Sequence, residues 1–146
     1  MLLSGGTVED QLAIRELIER YADACCERDP DTIESLWAED GKWGAVDMPE
    51  LSSSGRAEIM EKFRLGQSYF PFSFLLCFPG RIEIDGDRAT ARTYTSEIVT
   101  AANGTGRKAV GRYDDRFTRV AGRWLFAERI WTKLHSEGDY VHEGEG

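Results

Sequence analysis

The chain has 146 residues, with 18 Lys and Arg against 26 Asp and Glu, a formal net charge of −8. That is one domain's length, and the acidic balance argues against nucleic acid or an anionic membrane surface as partner, since both need a basic face. Apolar residues make up 41%, including 4 Trp, 5 Tyr and 7 Phe, enough for a sizeable core and against intrinsic disorder.

Met1 to Thr7 offers neither a basic start nor a long apolar run, so no signal peptide is expected. Residues 9–28 predict an amphipathic helix. Leu12, Ile14, Leu17, Ile18, Tyr21, Ala22 and Cys25 recur near helical spacing, with Glu16, Glu19, Arg20, Glu27 and Arg28 mostly elsewhere. Thr7 suits the N-cap, with Asp10 standing in for the capping-box Glu. Asp29-Pro30 is a second start signal, a carboxylate cap followed by proline in the first helical position. It predicts a short helix over 30–38 with Ile33, Leu36 and Trp37 on its apolar side. A short strand over 41–46, a loop at 52–55 and a third helix over 56–63 follow.

From about residue 72 the period changes to two, predicting strands over 72–78, 81–85, 89–101, 108–120 and 124–133. Asp85-Gly86, Asn103-Gly104 and Ala121-Gly122 mark the turns between the last four. Helices followed by an antiparallel meander indicate an α+β domain, its helices packed on one face of a curved sheet. The apolar run from Tyr69 to Pro79 is too short to span a membrane and contains two prolines, and the acidic tail from Ser136 is expected to fray.

Cys25, Cys26 and Cys77 form no disulfide framework, so a reduced, cytoplasmic protein is expected. Their spacing shows no CxxC and no neighbouring histidine, so no metal site is indicated. Only two histidines occur, His135 and His142, both near the C-terminus.

Three segments, "IRELIERYADACCERDPDTIESLWAEDGKW", "RIEIDGDRATA" and "GRYDDRFTRVAGRWLFAER", in this order and spacing, resemble the SnoaL-like branch of the nuclear-transport-factor-2-like superfamily over residues 8–133. That branch includes scytalone dehydratase, bile-acid dehydratase and the dehydrochlorinase of lindane degradation. The resemblance implies a cone, a bent antiparallel sheet wrapping the helices around a pocket for a small, mostly apolar molecule. It also implies a homo-oligomer, a dimer or trimer pairing through the sheet. Dehydratase-type members place a catalytic Asp five residues after a Tyr on the first helix, and a partner His ahead of the strand that reads "RIEI" here. With Tyr21 at the Tyr position, those two positions fall on Cys26 and about Leu75. Both members of the dyad are missing, and His–Asp elimination is not expected.

Other groups must therefore carry any chemistry. Tyr21 is a candidate hydrogen-bond donor to a carbonyl or enolate. Asp23 is either a general base in an apolar interior or a solvated helix-surface residue. In 111–119, Gly111, Tyr113, Asp115, Phe117 and Arg119 share the face expected to turn inward. Asp115 is then either an acid/base or half of an ion pair with Arg129 or Arg119. Cys26 is a weak nucleophile candidate, since a helix C-terminus disfavours a thiolate, and otherwise a small filler. Trp43, Phe72, Leu75, Tyr94, Tyr113, Arg129 and Trp131 are expected to line the pocket with Cys26. The leading reading is a cofactor-independent lyase or isomerase, such as a dehydratase or cyclase, on a small hydrophobic cyclic or polyketide-like molecule. Two alternatives stay open: a non-catalytic binding protein on the same fold, and an assembly partner like the small subunit of ring-hydroxylating dioxygenases.

Overall fold

The structure is a computed structural model that describes residues 5–138, so His142 and the last eight residues of the tail lie outside it. Helix α1 spans Val8–Cys26 and begins with the reciprocal cap read from the sequence. The Asp10 N–H donates to Thr7 Oγ1 at 3.1 Å, and the Thr7 N–H donates to Asp10 Oδ2 at 3.3 Å. Asp10 Oδ1 also accepts from Arg119 at 2.7 Å and from Trp124 Nε1 at 3.0 Å, so the cap ties the helix start to the sheet. The hydrogen bond from Trp124, and then that from Thr7, hold the Asp10 carboxyl below its ordinary 3.8.

Helix α2 (Pro30–Leu36) starts from Asp29, whose side chain accepts the Thr32 N–H at 3.1 Å. Strand β1 (Trp37–Ala45) follows without a loop and begins earlier than predicted. Trp37 leaves the helix to pair with Phe126, where its ring is fully buried beside Tyr21 and Phe126. After the short β2 (Ser53–Ser54), helix α3 runs over Arg56–Tyr69, past the predicted end at 63. It stops where Pro71 disfavours helical geometry in the preceding residue. The two strands predicted over 72–78 and 81–85 are one strand, β3 (Phe72–Asp85), with a register irregularity between Pro79 and Ile82.

Strands β4 (Arg88–Thr100), β5 (Gly106–Val120) and β6 (Arg123–Glu137) complete the meander. Its turns carry Gly86, Gly104 and Gly122 at φ +61°, +86° and +80°, where a side chain would be strained. The six-stranded sheet has the order β2-β1-β6-β5-β4-β3. The meander is antiparallel as expected, but β1 pairs with β6 in parallel, so the sheet is mixed. Helix α1 lies on one face of it. Ile14, Ile18 and Tyr21 there join Ile33, Trp37, Phe117 and Phe126 in the core. Each such side chain contributes about 1.5–3 kcal/mol by leaving water.

Arg28 adds a clamp that no sequence pattern announced. It takes a left-handed φ of +56° and donates to the carbonyls of Phe70 at 2.9 Å and Gln67 at 2.6 Å. The turn after α1 is thereby fastened to the end of α3.

Candidate functional site

The inner face of the sheet holds a buried ion pair. Asp115 on β5 and Arg129 on β6 are register partners and are both wholly shielded from solvent. Arg129 Nε donates to Asp115 Oδ1 at 2.7 Å and its Nη2 donates to Oδ2 at 3.1 Å, while Thr93 Oγ1 donates to Oδ2 at 2.7 Å. The guanidinium lies over the rings of Tyr113, Tyr21 and Phe126, at 3.8, 4.3 and 4.4 Å from their centroids. Burial pushes the Asp115 carboxyl up, against the opposing charge and hydrogen bonds of Arg129. Of the two partners read for Asp115, the structure selects Arg129. Arg119 instead binds Asp10 and Asp87. Both Asp115 oxygens are thus engaged, by Arg129 and Thr93. Arg129 Nη1 has no hydrogen-bond partner among the described residues.

Beside this pair lies an aromatic layer. Trp43 Nε1 donates to the Tyr113 hydroxyl at 3.0 Å, and Trp131 Nε1 donates to Thr95 Oγ1 at 3.0 Å. The Trp131 ring lies against Gly111, where an added Cβ would clash with it, so this position admits only glycine. Burial pushes the hydroxyls of Tyr21 and Tyr113 above their ordinary 10.0, so both are neutral donors at pH 7. Burial likewise raises the thiols of Cys25 and Cys77, which removes them as thiolate nucleophiles. All three cysteines are free.

Cys26 and Leu75, onto which the resemblance places the two dyad positions, are in contact. The Cys26 thiol donates to the Leu75 carbonyl at 3.2 Å, and the Leu75 N–H points back at the sulfur at 3.3 Å. Tyr21, Trp43, Leu75, Tyr113, Asp115, Arg129 and Trp131 thus gather on the inner side, with Cys26 at their edge.

Three expected residues are elsewhere. Asp23 is exposed on α1, because it falls outside the 3.6-residue phase of Ile14, Leu17, Ile18 and Tyr21. Phe72 and Tyr94 point to the outer face of the sheet, since strand alternation puts Leu75, Cys77, Thr93 and Thr95 inward instead. The neighbouring Phe74 and Phe78 are also exposed, so these rings do not fill the interior. His135 is exposed on β6, 3.3 Å from Glu137.

Two inward residues escaped the sequence reading. Glu97 continues the inner phase of Ala89, Ala91, Thr93 and Thr95 on β4, facing Leu75 on one side and Ala109 on the other. Arg107 shares the phase of Ala109 and Tyr113 on β5, which begins two residues before the predicted start. Period-two counting along β4 from Ala89 would have found Glu97.

A shallow groove of about 360 Å³ lies behind this cluster on the outer face, lined mainly by Arg81, Glu83, Thr90, Arg92, Asp114 and Arg116. Among the described residues no three His, Cys, Asp or Glu side chains converge as a metal site, and no helix is long and apolar enough to cross a membrane.

Solved structures share this architecture. A protein of Novosphingobium aromaticivorans with the provisional name scytalone dehydratase is 18% identical, with a TM-score of 0.83 over 92% of this chain and 91% of that one. The hexachlorocyclohexane dehydrochlorinase LinA type 2 is 12% identical, with a TM-score of 0.82 over 94% and 96%. A Nostoc punctiforme protein described as having a cystatin-like fold is 20% identical, with a TM-score of 0.73 over 91% and 95%. No curated protein matches the chain in sequence. The SnoaL-like domain family matches residues 6–130, nearly the whole of the described fold, and the chain belongs to that family.

Proposed function

We propose that this protein is a cofactor-independent lyase or isomerase acting on a small hydrophobic cyclic or polyketide-like molecule, without a His–Asp dyad. The observation that carries this reading is the pair of neutral, buried tyrosines beside Arg129. The Tyr113 hydroxyl accepts from Trp43 and so keeps its own proton to donate. Tyr21 lies against the same guanidinium. Fixed donors of this kind in an aromatic setting suit a carbonyl oxygen that gains charge during the reaction. The folds named dehydratase and dehydrochlorinase among the similar structures lend support. So do the three free thiols, which suit a reducing, cytoplasmic setting.

The test is incubation with a panel of cyclic β-hydroxy ketones, following enone absorbance. Turnover is expected, and Tyr113→Phe or Tyr21→Phe should lower it at least about tenfold. A second reading, a binding protein without turnover, rests on the contact between Cys26 and Leu75, the residues onto which the resemblance places the dyad. A panel member that binds tightly and is recovered unaltered would decide for it.

Self-association belongs to the same proposal. On the outer face, Phe72, Phe74, Leu76 and Phe78 of β3 line up with Tyr94 and Ile98 of β4, all exposed. A contiguous apolar patch along an edge strand suits a second copy of the chain.

A further inference from the structure

Glu97 and Arg107 are opposite charges on one face of the β4–β5 hairpin, and neither is spent on the other. Glu97 faces Ala109 directly, and Arg107 faces Val99 one inward position further along the same two strands. The two are therefore diagonal neighbours, a spacing that long side chains readily bridge. They feel each other's charge, yet form no ion pair within 4.0 Å. Arg107 Nε is buried with no hydrogen-bond partner among the described residues. The residues directly across from Glu97 are Leu75 and Ala109, which offer it no cation.

An open pair of opposite charges beside the aromatic layer fits a ligand with two features: an oxygen able to take negative charge, and a C–H made acidic by it. Resting on the reading of this face as a small-molecule site, we propose that Glu97 is its general base and Arg107 its oxygen-binding partner, acting on a ketone. The α-carbon's C–H bond breaks and its proton passes to a Glu97 carboxylate oxygen. The bonding electrons move onto the carbonyl oxygen, whose enolate charge Arg107 meets with its N–H groups. The proton then returns to carbon, at the same or a conjugated position. Burial pushes the Glu97 carboxyl above its ordinary 4.5, and Arg107 opposes the shift. That makes Glu97 a stronger base than a solvated glutamate. Cys25 from α1, Cys77 from β3 and Tyr113 from β5 also feel its charge. All three are neutral at pH 7, so Arg107 is the only charge set against it among these groups.

The experiment follows α-proton exchange of 2-tetralone in D2O by NMR, with binding read separately by saturation transfer. The wild-type chain should accelerate exchange about 100-fold over buffer. Glu97→Gln should fall to the buffer rate while 2-tetralone still binds, and Glu97→Asp should retain part of the rate. Arg107→Met should slow exchange about tenfold, with partial recovery in Arg107→Lys. Wild-type exchange at the buffer rate with the probe bound, or undiminished exchange in Glu97→Gln, would overturn the base assignment and leave the site reading standing. Failure of the wild-type chain to bind 2-tetralone, together with no turnover or binding across the hydroxy-ketone panel, would remove the site reading and this proposal with it.

Discussion

Asp115 and Arg129 sit opposite one another on β5 and β6 and close two hydrogen bonds, of 2.7 and 3.1 Å, inside a cage of three aromatic rings. Neither side chain touches solvent. Such a pair contributes little net stability against a well-packed apolar replacement, but removal of one partner strands the other charge. Arg129→Met alone should therefore destabilise the fold by about 3–5 kcal/mol, and Asp115→Leu combined with Arg129→Met should recover most of that loss. Urea denaturation reads both. Additive losses in the double variant would show that the pair is not coupled in this way.

Glu97 gives a pH dependence whose sign is set by burial. Its carboxyl titrates above the ordinary value, so the stability it contributes is full below pH 4.5 and is lost as pH rises through the folded-state value. Glu97→Gln carries no such charge. Its urea midpoint should match that of the wild-type chain near pH 4 and exceed it at pH 7.5. Equal midpoints at both pH values would mean that Glu97 ionises without a burial penalty.

The exposed apolar stripe on β3 is the expected contact between copies. Leu76 is 56% exposed and Phe78 69% exposed. In light scattering after gel filtration, the wild-type chain should run as a dimer or trimer, and Leu76→Glu combined with Phe78→Glu should run as one chain. The charges sit on the outer face, so folding should survive, as circular dichroism would show. A wild-type monomer would rule the contact out.

The β5–β6 turn offers a stabilising change. Ala121 and Gly122 both have positive φ, +50° and +80°, between the paired Val120 and Arg123. A two-residue turn of this geometry favours Asn in its first position. Ala121→Asn should raise stability by about 0.5–1 kcal/mol, read as a higher melting temperature. A fall would indicate that the Ala121 methyl makes a contact worth more than its strain.

Local signals in the sequence reached far. The Thr7–Asp10 cap, the Asp29-Pro30 helix start and the three hairpin glycines were legible because each depends on residues a few positions apart. The inward phase of Tyr113, Asp115 and Phe117 was legible because period two is unambiguous on a strand flanked by aromatics. Asp23 misled because a carboxylate two residues from a buried tyrosine invites a shared role, although a helix turns about 200° over that interval. Phe72 and Tyr94 misled because aromatic character suggests the interior, and the outer face of this sheet carries its own apolar patch along β3.

By itself, then, the sequence determined the α+β class, the meander and the family likeness. All of these follow from residue type, short-range spacing and order along the chain. Only the tertiary structure decided which cation Asp115 meets, that β1 joins β6 in parallel, and that Glu97 and Arg107 share one inner wall without pairing. Those facts depend on register between strands distant in sequence and on which face the helix covers, and no local pattern carries that information.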